Sequence, residues 1–238
     1  MPGKLYLIPN TIHDSSDAVI SCDHIVSVVR KIRYFFIEEE KSARRLLKKI
    51  VPDIPFAECA FFLLNEHSSP LDIEKSFFRI QENDMGLISQ AGCPCVADPG
   101  SDLVLLAHRR NIQVVPLVGP SSILLGLMSS GLNGQNFAFH GYLPKDKTER
   151  LKKIKVLEER SYREGQTQIF METPYHNQKL FEEVVASCDP KTFLCLAVDL
   201  TSQEEFIKTQ PIKTWKNSSP PVLQKRPALF LIQKKGKE

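Results

Sequence analysis

The feature that most constrains this chain is a rhythm in its first half. Short, almost unbroken apolar runs alternate with stretches of helical periodicity. The runs are Lys4–Pro9, Tyr34–Glu39, Phe61–Glu66, Met85–Ser89 and Gln113–Leu117. Between them lie candidate helices at Ser16–Arg30, Glu40–Ile50, Leu71–Gln81 and Asp102–Asn111. A strand wetted on one face alternates polar with apolar residues, and these runs do not. They predict strands buried on both faces, in a parallel sheet assembled from βαβ units.

The second half reads differently. "SSILLGLMSSGL" is a helix of small and apolar residues. The strands "NFAFHGYLP", "QTQIFME", "TFLCLAVDL" and "ALFLIQ" follow, with helices at Asp146 to about Arg163 and Tyr175–Ser187. Only some of these strands are joined by helices, which predicts a mixed sheet. The expected organisation is α/β, with an N-terminal unit over 1–118 and a C-terminal unit over 119–238. Thr209 to Pro227 holds four prolines and reads as a loop or an edge. The final "KKGKE" reads as a frayed tail.

Totals exclude several classes. Apolar residues make up 42% and charged residues 25%, the balance of a soluble globular protein. No run of apolar residues is long enough to span a bilayer, so no membrane partner is expected. The N-terminus lacks the pattern of a secretory leader, and the default location is the cytoplasm. The six cysteines are scattered and read as reduced packing residues. Cys93-Pro94-Cys95 lacks a second ligand pair, and the six histidines show no paired spacing, so no metal is expected. Residues 1–118 carry 13 Lys/Arg against 15 Asp/Glu, whereas residues 119–238 carry 18 against 13. A basic second half is a weak pointer to an anionic partner such as RNA.

The common nucleotide fingerprints are missing. There is no G-x-G-x-x-G after the first strand and no G-x-x-x-x-G-K-[ST]. Open parallel sheets bind ligands beyond the carboxyl ends of their strands. There the fourth strand gives Ser89-Gln90-Ala91-Gly92-Cys93-Pro94, and the fifth gives Gly119-Pro120-Ser121-Ser122. Small residues let a ligand reach main-chain N–H and C=O groups. The same residues also suit a tight strand-to-helix turn.

"GLISQAGCPCVADPGSDLV" followed by "IQVVPLVGPSSILLGLMSSGL" resembles the tetrapyrrole methylase superfamily, the class III S-adenosylmethionine-dependent methyltransferases. The resemblance is closest to its branch that methylates the 2′-oxygen of a cytidine in small-subunit ribosomal RNA. "LYLIPNTI", "IEEEKSARRLL", "FHGYLPKDKTER" and "IFMETPYHNQKL" match further motifs of that branch, in order, from Leu5 to about Leu180. The resemblance implies two α/β domains with S-adenosylmethionine in the cleft between them, and a homodimer. It implies that Pro9, Ser89, Ala91, Gly92, Pro94, Ser121 and Ser122 line the cofactor site, with Met171, Leu200, Pro227 and Ala228 from the second domain. Glu39 and Glu172 are the favoured catalytic carboxylates, to take the proton of the ribose hydroxyl, and Lys41, Arg44 and His67 the candidate contacts to substrate.

The chain departs from that branch where substrate is expected. The first loop has His13 in place of a glycine. The E-S-P-H-R motif is Glu172-Thr173-Pro174-Tyr175-His176, without the arginine. R-E-L-T-K is Val198-Asp199-Leu200-Thr201-Ser202, and a final G-E pair is Arg226-Pro227. These changes predict a kept cofactor site and an altered acceptor site. Alternatives are a small acceptor such as a tetrapyrrole, or a cofactor-binding paralogue without catalysis. Charges have two readings as well. Glu38 to Lys49 suits a helix dipole as well as phosphate contacts. Lys145, Lys147, Arg150, Lys152, Lys153 and Lys155 suit either the solvated face of a helix or an RNA-backbone patch.

Overall fold

The protein is described from a computed structural model, over residues 3–13, 22–65, 68–218 and 221–235. The chain divides into two compact units, Met1–Ser121 and Ser122–Glu238.

In the first unit β1 (Lys4–Ile8), α1 (Asp23–Val29), β2 (Tyr34–Ile37), α2 (Glu40–Ile50), β3 (Ala60–Leu63), α3 (Pro70–Ile80), β4 (Met85–Ile88), α4 (Ser101–Arg109) and β5 (Gln113–Pro116) follow in order. The sheet order is β3-β2-β4-β1-β5 and every pairing is parallel. Alternate side chains feed two cores. Ile8, Phe35 and Ile37 pack with Leu46 and Leu47 of α2, while Leu5, Phe36 and Leu87 pack with Phe77 of α3 and Leu103 of α4. This double burial is why the strands read as continuous apolar runs. Gly86 suits that packing, since a Cβ there would sit 2.7 Å from Cδ1 of Ile8 and 2.8 Å from the Phe35 ring, and these buried side chains would have to shift.

The topology also marks a place for ligand. β1 and β4 are neighbours, in register from Leu5↔Met85 to Ile8↔Ile88. From β1 the chain passes to β2 on one side; from β4 it passes to β5 on the other. The sheet therefore reverses its winding between them, and loops leaving such a switch point splay apart into a crevice.

The second unit comprises α5 (Ser122–Ser130), β6 (Phe137–Tyr142), α6 (Lys147–Glu164), β7 (Thr167–Met171), α7 (Asn177–Ser187), β8 (Phe193–Val198), β9 (Phe206–Pro211), α8 (Ile212–Lys216) and β10 (Ala228–Gln233). Its sheet runs β6-β7-β10-β8-β9. Only β6 and β7 pair in parallel, so the sheet is mixed. α6 starts at Asp146, whose side chain accepts from Glu149 N at 3.0 Å, and ends at Gly165 with φ of 60°.

Several expectations need correction. Thr209 to Pro227, read as a loop or an edge, does contribute to an edge strand, but it also holds a short helix. β9 begins at Phe206 and forms the sheet edge, and α8 buries Trp215, whose Nε1 donates to Leu194 O at 3.0 Å. The tail is not frayed from Lys234, which pairs with Asp189 at 3.1 Å; residues 236–238 lie outside the described residues. Arg150 is neither solvated nor open to phosphate. It is buried against Glu183, because its position on α6 faces α7. Cys22 is exposed rather than packed. The start of the helix expected over Ser16–Arg30 lies outside the described residues.

Candidate functional site

Three loops of the first unit meet beyond the sheet, and Asn10 joins the first two. Its Nδ2 donates to Ser89 O at 3.1 Å and Gln90 O at 2.8 Å, and its Oδ1 accepts from Thr11 N at 2.8 Å. Its backbone N–H donates to Gly92 O at 2.8 Å, and Gly92 N donates back to Thr11 O at 3.3 Å. The third loop closes on Pro9. A Cβ on Gly119 would lie 2.1 Å from Pro9 Cβ, and the Cys93 thiol donates to Pro120 O at 3.3 Å. Pro9, Ser89, Gly92 and Pro94 are buried here, whereas Ala91 is exposed at the loop tip and Ser121 is half-buried.

The loop after β4 holds an unusual backbone. Gly92, Cys95, Ala97 and Gly100 all have positive φ, at 66°, 67°, 64° and 133°. Two of these carry side chains, a strained state that concentrates at functional sites. Carboxylates gather beside it. Glu38 Oε2 accepts from Gln90 N at 2.9 Å. Burial, and then the neighbouring Glu38 charge, push the Asp98 carboxyl up to about 6. Ser89 lies close enough to Asp98 to pull it back slightly. Yet its buried hydroxyl makes no hydrogen bond of good geometry, and we count it as unsatisfied.

The other candidates of this unit separate. Glu39 is the exposed N-cap residue of α2, without a side-chain cap bond. Lys41 is exposed on the first turn. Arg44 is engaged: its Nε donates to Glu40 at 2.7 Å, and its guanidinium stacks 4.5 Å from the Phe61 ring centre. The next face of α2 instead lines a cavity of about 40 Å³, where Ser42, Arg45 and Lys49 meet Asn10, Thr11 and Gln90. His67 and Glu66 lie outside the described residues.

In the second unit the expected segments converge at one sheet end. β10 sets Leu229 against Met171 and Ala228 against Val198. Asp199 N donates to Pro227 O at 2.9 Å, and Leu200 is buried. Asp199 and Arg226, both departures from the branch pattern, form an ion pair, and Arg226 Nη2 also donates to Glu204 O at 2.8 Å. Asp199 and Thr201 have φ of 47° and 70°, and the buried Thr201 hydroxyl has no partner. Ser122 opens α5. Glu172 follows β7, where its Oε1 accepts from Thr173 N at 2.7 Å. It borders a cavity of about 330 Å³.

Sequence reasoning missed Asn10, Asp98 and Arg45. Asn10 reads as a turn residue, and only the strand order shows that its loop lies beside Ser89. Among the described residues, no group of three or more His, Cys, Asp or Glu could hold a metal ion, and no helix is long and apolar enough to cross a membrane.

No family model matches the chain. Proteins named ribosomal RNA small subunit methyltransferase I do match. That of Escherichia coli O157:H7 is 28% identical over 211 residues, covering 88% of this chain and 70% of the relative. That of Pseudomonas aeruginosa is 26% identical over 211 residues, covering 88% and 71%. That of Haemophilus influenzae is 31% identical over 157 residues, covering 64% and 53%. Among solved structures, the methyltransferase CobJ superposes with a TM-score of 0.63 over 98% of this chain and 94% of that one; at 14% identity the likeness concerns the fold. The ordered motifs and these relatives make the chain similar to the ribosomal RNA small subunit methyltransferases I, and its paired parallel and mixed sheets have the class III methyltransferase fold seen in CobJ.

Proposed function

We propose that the protein is an S-adenosylmethionine-dependent methyltransferase acting on RNA of the small ribosomal subunit, at a ribose 2′-hydroxyl. The observation that carries this is the match across 88% of the chain to proteins so named. CobJ supports the fold only, so it does not favour a tetrapyrrole acceptor. We include in the proposal a homodimer and a cytoplasmic location, as the resemblance implies; the exposed Leu124 and Met128 of α5 support an apolar contact with a second copy.

The residues fit the cofactor chemically. The Ser89 and Thr201 hydroxyls are buried without partners, and each stands beside candidate cofactor residues. The small residues Ala91 and Gly92 let a ligand approach the backbone. Pro9, Ser89, Ala91, Gly92, Pro94, Ser121, Ser122, Met171, Leu200, Pro227 and Ala228 would hold it. When bound, the cofactor supplies an already activated methyl group. The protein's task is then to orient the acceptor in line and to take its proton. Glu39 and Glu172 are the proposed bases. Glu39 is exposed and without a cap bond, and Glu172 has one oxygen left over from its turn. Lys41 is the proposed phosphate contact on α2. Arg44 keeps that role only if RNA draws it from Glu40 and Phe61.

The test is transfer of tritiated methyl from S-adenosylmethionine to 30S subunits lacking native methylation, beside calorimetric titration with the cofactor. The wild type should bind and transfer, and Gly92→Trp should do neither. Cofactor binding without transfer to any RNA would leave a non-catalytic paralogue. Absence of cofactor binding would remove the proposal.

A further inference from the structure

The 330 Å³ cavity of the second unit is large enough for a nucleotide-sized group. Its lining comes from separate segments. Lys145 lies in the β6–α6 connection, Glu172, Thr173 and His176 in the β7–α7 turn, and Lys179 on α7. Arg150 also borders it, but its guanidinium is spent. Nε and Nη2 bind Glu183 at 2.6 and 2.8 Å, and Nη1 donates to Pro144 O and Lys145 O at 3.0 and 2.8 Å. Those last two bonds tie the backbone at Lys145 to α7, so two lysines on different elements are held across one opening.

The chemistry of that opening is specific. Lys145, His176 and Lys179 are exposed, and each can present a nitrogen donor, a charged one from the two lysines. His176 takes the place of the arginine in the resembling motif, and Thr173 Oγ1 holds its Nδ1 at 3.2 Å, so that Nε2 is the ring nitrogen left for a ligand. Glu172 is the lone carboxylate lining the cavity, and one of its oxygens is occupied by Thr173 N. Two ammonium groups and an imidazole beside one carboxylate suit a group that is anionic at one end and carries a hydroxyl at the other. A sugar-phosphate has that form.

We propose that this cavity seats one phosphodiester of the bound RNA between Lys145, His176 and Lys179, with the adjoining ribose against Glu172 and Thr173. The inference rests on the RNA reading above and adds where the strand is gripped. It places the proposed base Glu172 beside a sugar whose phosphate is fixed.

The experiment is fluorescence anisotropy with a labelled single-stranded RNA of small-subunit sequence, across a salt series, with cofactor affinity measured in parallel. The variants are Lys145→Ala/Lys179→Ala and a charge-matched control on exposed α8 positions, Lys213→Ala/Lys216→Ala. Removing two phosphate contacts should weaken RNA at least tenfold and lower the log–log salt slope by roughly 0.7 per lysine, with cofactor affinity unchanged. The control should lose far less. Wild-type affinity and slope in the cavity variant, or an equal loss in the control, would overturn the cavity assignment alone. No RNA binding by the wild type at any salt would overturn the RNA reading, and this inference with it.

Discussion

Arg150 and Glu183 form a two-pronged ion pair, at 2.6 and 2.8 Å, with side chains only 6% and 8% exposed. The pair joins α6 to α7 and, through the Pro144 and Lys145 carbonyls, fixes the mouth of the charged cavity. The Arg150 guanidinium hydrogen-bonded to Glu183 holds that carboxyl below its ordinary range. A buried pair contributes little net stability over an apolar replacement, but half of one is costly. Glu183→Leu should therefore destabilise the second unit by about 3 kcal/mol in urea unfolding, and Arg150→Met/Glu183→Leu should recover most of it. The acid dependence has a definite sign. A lowered carboxylate pKa stabilises above its unfolded value, and this contribution is lost as pH falls below about 4.5. Acid unfolding of Arg150→Met/Glu183→Leu should be shallower in that range.

Asn10 makes a second testable joint. Replacing it with Ala deletes the bonds to Ser89 O and Gln90 O and leaves both carbonyls to find water. Asn10 is 5% exposed, so the loss should cost about 2 kcal/mol. Because it ties the β1 and β4 loops, cofactor affinity by calorimetry should fall as well. Unchanged affinity with lowered stability would show a purely structural staple.

The parallel sheet was legible because burial on both faces writes itself into sequence as unbroken apolar runs. Strand limits erred outward, as at Glu38 and Glu39, because a charged residue beyond a strand end looks no different from one within it. β9 was not legible. Lys208, Thr209, Gln210 and Pro211 lie on a sheet edge, where only one neighbour imposes a pattern. Arg150 was misread because its partner is 33 residues away, and no local rule separates a paired arginine from a solvated one in a lysine-rich helix. The candidate loops were proposed from short motifs, but the bonds that hold them together follow from strand order. Asn10 meets Gln90 only because β1 lies beside β4.

Two glycines separate steric from conformational cost. Gly119 is not in the left-handed region, but an added Cβ would collide with Pro9 at 2.1 Å. Gly92 has φ of 66°, yet its Cβ would meet only Pro120 O, at an ordinary 3.6 Å. Gly92→Ala should cost about 1–2 kcal/mol, the strain of a side chain in that region. Gly119→Ala should cost more, about 3 kcal/mol, because two backbone segments must part. Chemical unfolding of both variants decides this, and an inverted order would mean that the loop after β5 yields easily.

Asp98 gives the first unit a pH dependence opposite in sign to that of Glu183. Its carboxyl rises to about 6 in the fold, first through burial and then through Glu38, from an ordinary value of 3.8. A raised carboxyl is favoured while protonated. Its contribution is complete below about 3.8 and is lost as pH rises through 6. Asp98 is half-buried, so solvent screening reduces the effect to on the order of 1 kcal/mol. Asp98→Asn should remove that loss, making the variant more stable than the wild type at pH 7.5 and nearly equal at pH 4. Urea midpoints at the two pH values test this. A variant less stable at pH 7.5 but equal at pH 4 would mean that the ionised carboxylate holds a bond in the loop, with the Ser89 hydroxyl as its donor.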